Sequence, residues 1–150
     1  MPFLVTMMLA DAAQAVDNKL YVIGGGWSIL RGHGPTALAL MVKVPWDQTN
    51  VDHVMKLELV DSDGHAVKVS TPVGEQPVLV ENVFQVGRPP GIAPGTPIDL
   101  AFALNLGPLP LANGRYEWRL TIGDESDENW RLPFQMEVEA EPEGPNLGES

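Results

Sequence analysis

Apolar and polar residues alternate over two neighbouring segments near the end of the chain. From Tyr116 to Ile122, aromatic and aliphatic residues occupy every second position, with Glu, Arg and Thr between them. From Trp130 to Val138 the alternation returns, after the polar turn 123–129. A period of two puts successive side chains on opposite faces of a β-strand. The two segments therefore predict a β-hairpin with one buried face and one face toward water.

Shorter apolar segments predict the other strands. They are 3–9, 19–23, 37–44, 53–60, 66–70, 78–86 and 98–106. Residues 11–14 predict a short turn, and Asp-Ser-Asp-Gly at 61–64 predicts a hairpin turn into the strand at 66–70. Residues 87–97 are rich in Gly and Pro, which predicts an extended, partly polyproline connection.

About eight strands, with turn residues at short spacing and no segment of convincing helical periodicity, predict an all-β fold. We expect a single-domain antiparallel β-sandwich over residues 1–139, immunoglobulin-like or of a similar type. The chain has no cysteine, so the Cys…Trp…Cys spacing of true immunoglobulin domains is missing and the strand order stays open. Residues 140–150 are acidic and contain Pro and Gly, which predicts a disordered acidic tail.

The charge balance narrows the class of partner. Twenty Asp and Glu residues against nine Lys and Arg give a formal net charge of −11. Phosphate binding depends on clustered basic residues, so we expect neither nucleic acid nor a membrane as a partner. No run approaches the roughly 20 apolar residues of a membrane helix. Because no basic region precedes the apolar segment 3–9, we expect a cytoplasmic protein rather than a secreted one.

Six phrases of the sequence occur together in one order. They are residues 9–14, 19–27 (KLYVIGGGW), 44–48 (VPWDQ), 57–64 (LELVDSDG), 86–96 (VGRPPGIAPGT) and 107–120. In these phrases the chain resembles a family of uncharacterised bacterial proteins, known mainly from actinobacteria and described as a domain of unknown function. The resemblance covers about residues 4–138. It implies a small intracellular β-sandwich protein and brings no activity with it.

Side chains that bind metals occur without a complete ligand pattern. The three histidines lack metal-ligand spacing and are expected at solvated surface positions. These are His33, His53 and His65. Four carboxylates crowd the turn 124–128, and Asp61 with Asp63 forms a thinner set, but neither matches a calcium-binding loop. We interpret both sets as solvated turn residues, and we expect no metal and no cofactor.

The serines lie in no nucleophile-elbow context, so we expect no catalytic residues and no enzymatic activity. The three glycines at 24–26 could suggest a phosphate-binding loop. Such a loop needs a helix start behind it, whereas Trp27 and a polar loop follow here. We therefore interpret the glycines as a tight bend at a strand end.

The candidate binding residues are Trp27, Trp46, Asp47 and Arg88. They lie in predicted loops or at strand ends, where binding residues often occur, and Trp and Arg commonly anchor interfaces. We expect the two tryptophans and Arg88 to lie together at one end of the sandwich. In the competing structural interpretation, Trp46 closes the end of the sandwich and Arg88 pairs with Asp47.

Two classes of function remain. In the first, the protein is a non-enzymatic interaction or scaffold module that binds a protein partner or forms a homo-oligomer, through a sheet edge or a loop patch. In the second, it binds a small ligand or carbohydrate with the loop tryptophans. An exposed aromatic cleft would favour the ligand, and a flat apolar patch would favour a protein partner.

Overall fold

A computed structural model describes residues 3–138. This part of the chain is all-β, with one 3₁₀ turn at Trp46–Gln48. The strands are β1 (Leu4–Ala10), β2 (Ala12–Val16), β3 (Lys19–Ile23), β4 (Ile29–Arg31), β5 (Ala37–Val44), β6 (His53–Asp61), β7 (Lys68–Thr71), β8 (Gly74–Pro77), β9 (Leu79–Phe84), β10 (Ile98–Asn105), β11 (Gly114–Ile122) and β12 (Arg131–Glu137). The predicted tail 140–150 lies outside the described residues.

Eight of these strands form two larger sheets. One has the order β1-β5-β10, and the other has the order β4-β12-β11-β6-β9. Neighbouring strands are antiparallel, apart from the parallel pair of β12 with the short β4. The hairpins β2–β3 and β7–β8 are separate two-stranded sheets. Neither larger sheet closes on itself, so each ends in two edge strands.

The two larger sheets share one hydrophobic core. Leu38, Leu40 and Val42 of β5 belong to the same buried cluster as Trp118 of β11. Six large apolar residues of the alternating segments are expected in the core, and five of them are buried to 4% exposure or less. They are Leu57, Trp118, Leu120, Trp130 and Phe134. Phe102 is half-buried instead, because its strand β10 is the last of its sheet and is covered on fewer sides.

The first half of β5 is buried on both faces, because its second face carries small side chains. Its second face carries Ala37 and Ala39, which form a separate buried cluster with Ala10 and Ala13. Alanine leaves room for a further layer, so the hairpin β2–β3 packs against this face. The expected turn at 11–14 is therefore wrong: Ala12–Val16 is a strand paired with Lys19–Ile23.

The described residues contain twelve strands rather than about eight. The sequence pattern missed β2, and also β4, which has three residues, and β8, whose residues are all exposed and carry no alternation. The turn at 61–64 leads the chain back onto β6, as expected: Val67 N–H donates to the Leu59 carbonyl at 3.0 Å, and Val60 forms an antiparallel bridge with Ala66. β7 then pairs with β8, and the rest of this side of β6 pairs with β9. Residues 3–138 contain no helix with the length and hydrophobicity that crossing a bilayer requires.

Candidate functional site

Trp46 and Arg88 contact each other, as the sequence predicted. The guanidinium carbon of Arg88 lies 3.9 Å from the centre of the Trp46 ring, a cation–π geometry. Arg88 also donates from Nε to Thr49 Oγ1 at 2.7 Å and from Nη2 to the Trp46 carbonyl at 2.8 Å. Arg88 is thus fixed by three contacts to the segment 46–49.

The segment 46–49 is itself held from several sides. Thr49 is 5% exposed and donates its hydroxyl to the Trp46 carbonyl at 2.7 Å. The next residue, Asn50, donates its backbone N–H to the Val86 carbonyl at 2.7 Å. Among the salt bridges of residues 3–138 there is none between Asp47 and Arg88, and Asp47 is exposed. The Asp47–Arg88 pair of the competing structural interpretation is therefore wrong, and Thr49 takes the place of the carboxylate.

The connection after Arg88 is made of two consecutive turns rather than an extended polyproline segment. Ile92 N–H donates to the Pro89 carbonyl at 3.4 Å, and Thr96 N–H donates to the Ala93 carbonyl at 3.2 Å. Each turn has glycine at its third position with positive φ, +85° at Gly91 and +89° at Gly95, as a type II turn requires. The contacts of Arg88 fix the start of this exposed loop.

Trp27 lies elsewhere. The neighbouring Gly26 donates its N–H to the Leu9 carbonyl, and Leu9 is paired with Leu38 near the start of β5. Trp46 follows the far end of β5, on the order of 20 Å along the strand at roughly 3.3 Å per residue. The Trp27 ring packs edge-on to Phe134 with ring centres 6.2 Å apart. The expectation that Trp27 joins Trp46 and Arg88 is wrong, because strand pairing sends the two tryptophans to opposite ends.

The backbone conformation and close packing at residues 24–26 favour glycine. A Cβ on Gly24 would lie 2.2 Å from Asp11 Oδ2, and one on Gly25 would lie 2.6 Å from Val22 Cγ1. Gly24 also has φ of +60°, which favours glycine. The close approach of side chains supports the interpretation of a tight bend after β3.

One group of metal-ligand side chains converges among residues 3–138. Ligand atoms of Asp61, Asp63 and His65 lie within 4.8 Å of one another. The Asp61 carboxylate already accepts the backbone N–H groups of His65 and Asp63, each at 2.9 Å. These bonds, that from His65 most strongly, hold the pKa of Asp61 below its ordinary value of 3.8. The carboxylate therefore shapes the turn after β6.

The histidines differ in their surroundings. His33 and His65 are exposed, as expected. His53 is half-buried: its ring lies 5.1 Å from that of Phe3 and 5.3 Å from that of Phe84, centre to centre, and its Nε2 is 2.8 Å from the Gln48 carbonyl. The expectation of a solvated surface position is wrong for His53, because its side chain, at the first residue of β6, packs against the rings of Phe3 and Phe84.

The free edge of β9 is a feature that the sequence did not single out. β9 is the last strand of its sheet, and alternate residues of a strand direct their backbone groups to opposite sides. Val78 and Val86 direct their carbonyls toward the side of β6, so Leu79, Glu81 and Val83 direct theirs outward. Residues 3–138 form no backbone hydrogen bond to the outward groups of these three residues.

Apolar side chains accompany this free edge. Leu79 is 42% exposed and Val83 is 64% exposed, on the sheet face turned away from the core. Val83 stands opposite Val54 of β6, which is 42% exposed on the same face. We call Val54, Leu79 and Val83, with the outward backbone groups of β9, the β9 edge.

The surface depressions lie at other places. One of about 810 Å³ lies between β4 and the end of β12, and its lining includes Arg31, Asn113, Gln135 and Glu137. Two smaller ones continue across β11 and β12 and share Arg115 in their lining. Neither Trp27 nor Trp46 lines any of these depressions.

Comparison with curated proteins finds no match for the chain. The sequence model of one family matches residues 5–137, and that family is described as a family of unknown function, DUF6941. The matched region contains the strands of both larger sheets, except for the first residue of β1. The match covers most of the chain, so the protein belongs to DUF6941, a family of unknown function.

Proposed function

We propose that this protein is a non-enzymatic protein-interaction module whose partner adds a strand to the β9 edge. In this proposal, the eight strands of the two larger sheets form a β-sandwich that holds the edge rigid. The observation that carries the proposal is a six-residue edge strand with outward backbone groups and two exposed apolar side chains. The proposal also places the protein in the cytoplasm, and in actinobacteria by the resemblance of its sequence.

Strand addition uses both parts of the β9 edge. An incoming strand pairs with the outward N–H and C=O groups of Leu79, Glu81 and Val83, and these main-chain bonds supply affinity. Its side chains would cover Leu79 and Val83, whose exposed apolar area would then leave water. Natural proteins usually block such an edge with charged residues, especially Lys, or with Pro or a bulge; β9 contains neither Lys nor Pro, and Glu81 is its one charged residue.

The second candidate is binding of a small ligand or carbohydrate. The depression of about 810 Å³ supports it, because this volume falls in the range of ligand pockets. The loop tryptophans do not serve it: Trp27 packs against Phe134, and Arg88 lies over the ring of Trp46. A ligand in this depression would meet Arg31 and Gln135 instead, so we rank this candidate second.

The test compares two valine substitutions of the same chemistry. Val83→Lys puts a charge into the β9 edge, whereas Val73→Lys puts it at an 80% exposed position in the turn between β7 and β8. We expect immobilised Val83→Lys protein to lose the proteins captured from native lysate and identified by mass spectrometry. Val73→Lys protein should keep them. Equal capture by both variants and the unmodified protein would contradict the proposal.

A further inference from the structure

We propose that the occupant of the β9 edge is a second copy of the same chain, paired antiparallel through β9 about a two-fold axis at Glu81. The inference rests on the proposed function, because it names the partner of the same edge. Each copy would contribute its five-stranded sheet, so the dimer would contain one continuous ten-stranded sheet. A two-fold interface must be self-complementary, and β9 meets this condition in backbone and in side chains.

The backbone permits this register. In antiparallel pairing, residues whose N–H and C=O both point toward the partner stand opposite one another. Leu79, Glu81 and Val83 are the outward residues of β9. With the axis at Glu81, Leu79 of each copy stands opposite Val83 of the other, and all three residues form hydrogen-bonded pairs.

The side chains follow the same symmetry. Leu79 and Val83 lie two positions on either side of Glu81, on the outer sheet face. Pairing places each Leu79 beside Val83 of the second copy, and Val83 already stands opposite Val54 in its own sheet. The result is two apolar clusters of Val54, Val83 and Leu79, related by the axis. Cross-strand apolar pairs of this kind stabilise antiparallel sheets.

Charge sets the strength of the interface. The axis brings two Glu81 side chains face to face, and like charges directly opposite are destabilising. Each Glu81 has a cation beside it, with Lys56 Nζ 4.0 Å from Glu81 Oε2. The net charge of −11 per chain also opposes association, but salt screens charges more than about 8 Å apart at physiological ionic strength. We therefore expect association to strengthen as salt is added.

The other edge strands of the two larger sheets suit a second copy less well. β4 has three residues. Along β10, Asn18 of the β2–β3 turn accepts from the Ala101 N–H at 2.8 Å and donates to the Asp99 carbonyl. At the end of β1 the Leu9 carbonyl accepts from the Gly26 N–H, and near its start Asp127 and Trp130 line a depression of about 360 Å³ together with Leu4 and Thr6. The three outward residues of β9, in contrast, form no backbone hydrogen bond among residues 3–138.

The first test measures the mass of the full chain by sedimentation velocity, from about 1 µM to about 1 mM, which brackets weak association. We expect a reversible monomer–dimer equilibrium that shifts toward dimer with added salt. Val83→Lys should be monomeric over this range, and Val73→Lys should dimerise like the unmodified chain. A chain that stays monomeric throughout, or a dimer that Val83→Lys leaves unchanged, would overturn the inference.

A second test examines the register. We expect Glu81→Lys to form mixed dimers with the unmodified chain in excess of random pairing, because the introduced lysine then faces Glu81. Glu75→Lys, on the exposed strand β8, should pair at random and is the control. Random pairing by Glu81→Lys would overturn the proposed axis.

The outcome also separates this inference from the proposed function. If the chain is monomeric but Val83→Lys still loses captured proteins from lysate, the β9 edge binds another partner and only the second-copy proposal fails. If neither dimerisation nor capture responds to Val83→Lys, both proposals fail together.

Discussion

β9 and β10 are both last strands of their sheets, but the edge of β10 is covered by other residues of the chain whereas the edge of β9 is not. Along β10, the hairpin β2–β3 lies against the strand and the amides of Asn18 and Asn105 bind across the junction. Along β9, the outward backbone groups meet no other strand among residues 3–138, and Leu79 and Val83 are exposed. One edge is therefore closed within the chain, and the other is available to a partner.

The asparagines show how a side chain can substitute for a neighbouring strand. The Asn105 amide donates to the Ala13 carbonyl at 2.7 Å and accepts from the Ala13 N–H at 3.1 Å, so it satisfies both backbone groups of one residue. Asn18 binds backbone groups of two residues of β10, the Asp99 carbonyl and the Ala101 N–H. Asn18 reaches this position because it sits in the tight turn between β2 and β3 with φ of +59°, which asparagine tolerates.

The largest expected effect removes the core on which both edges depend. Trp118 is 1% exposed, and its strand β11 pairs with both β6 and β12. Truncating a buried aromatic side chain costs about 3–5 kcal/mol, so Trp118→Ala should lower the free energy of unfolding by that amount. Denaturant titration measures it. If the variant unfolds at the same denaturant concentration as the original chain, the assignment of this core is wrong.

A smaller substitution should loosen the junction between β2 and β10. Asn105→Ala removes both bonds to Ala13, which is 6% exposed, and an unsatisfied buried backbone group costs about 1–3 kcal/mol. We expect a loss of about 2 kcal/mol in unfolding free energy and faster hydrogen exchange at the Ala13 amide, while Asn18 continues to cover the backbone of β10.

The matched control for this substitution lies on the other edge. Asn82→Ala, at an exposed position of β9, should change neither stability nor exchange at Ala13. If Asn105→Ala and Asn82→Ala behave alike, the Asn105 amide does not hold β2 against β10.

Arg88→Ala tests the segment that follows the open edge. It removes two hydrogen bonds and the contact with the Trp46 ring, so we expect a loss of about 1 kcal/mol, since Arg88 is exposed and water replaces part of its bonds. The emission maximum of Trp46 should shift as its ring becomes more exposed to solvent. Arg131→Ala, at an exposed position of β12, is the control.

This variant also separates two roles of Arg88. Dimerisation through the β9 edge should persist in Arg88→Ala if Arg88 only fixes the loop 87–97. Loss of dimerisation or of partner capture, with stability lowered by no more than about 1 kcal/mol, would show that Arg88 touches the partner.

Local patterns of the sequence predict the strands well and their arrangement poorly. The hairpin 114–138 follows from alternation alone, because each residue's face is set by its own strand. The strand at β9 was equally readable, but its place at the edge depends on which of twelve strands pair with it. The position of Trp27 depends on Gly26 meeting Leu9, a contact across seventeen residues of chain, and no local pattern encodes it.

The site shows the same limit in its polar contacts. The sequence correctly predicted that Trp46 and Arg88 lie together, since both flank strand ends beside constrained backbone. The competing interpretation named the wrong partner for the guanidinium, because charge favoured Asp47 whereas the 3₁₀ turn places Thr49 and the Trp46 carbonyl within reach of Arg88. Asn18 and Asn105 were missed for the same reason. A turn asparagine carries no sign of the distant backbone that it will bind.

The smallest expected effect concerns pH, at the end of β6 that β9 does not cover. The backbone N–H of His65, with a smaller share from that of Asp63, holds the pKa of Asp61 below its ordinary value of 3.8. A carboxyl with a lowered folded-state pKa stabilises the fold above its unfolded-state pKa, and this stability is lost as pH falls through the folded-state pKa. Asp61→Asn keeps an oxygen acceptor for both N–H groups but cannot titrate.

Stability of the original chain should therefore fall more steeply below about pH 4 than that of Asp61→Asn. The two should run in parallel at higher pH. Thermal melts in a pH series measure this, with Asp63→Asn as the control, because the Asp63 carboxylate accepts no hydrogen bond among residues 3–138. Burial, and then the charge of Asp61, raises the pKa of Tyr116, so Asp61→Asn should also shift the Tyr116 titration downward. If stability falls equally with acid in both chains, the turn after β6 does not depend on the ionised Asp61 carboxylate.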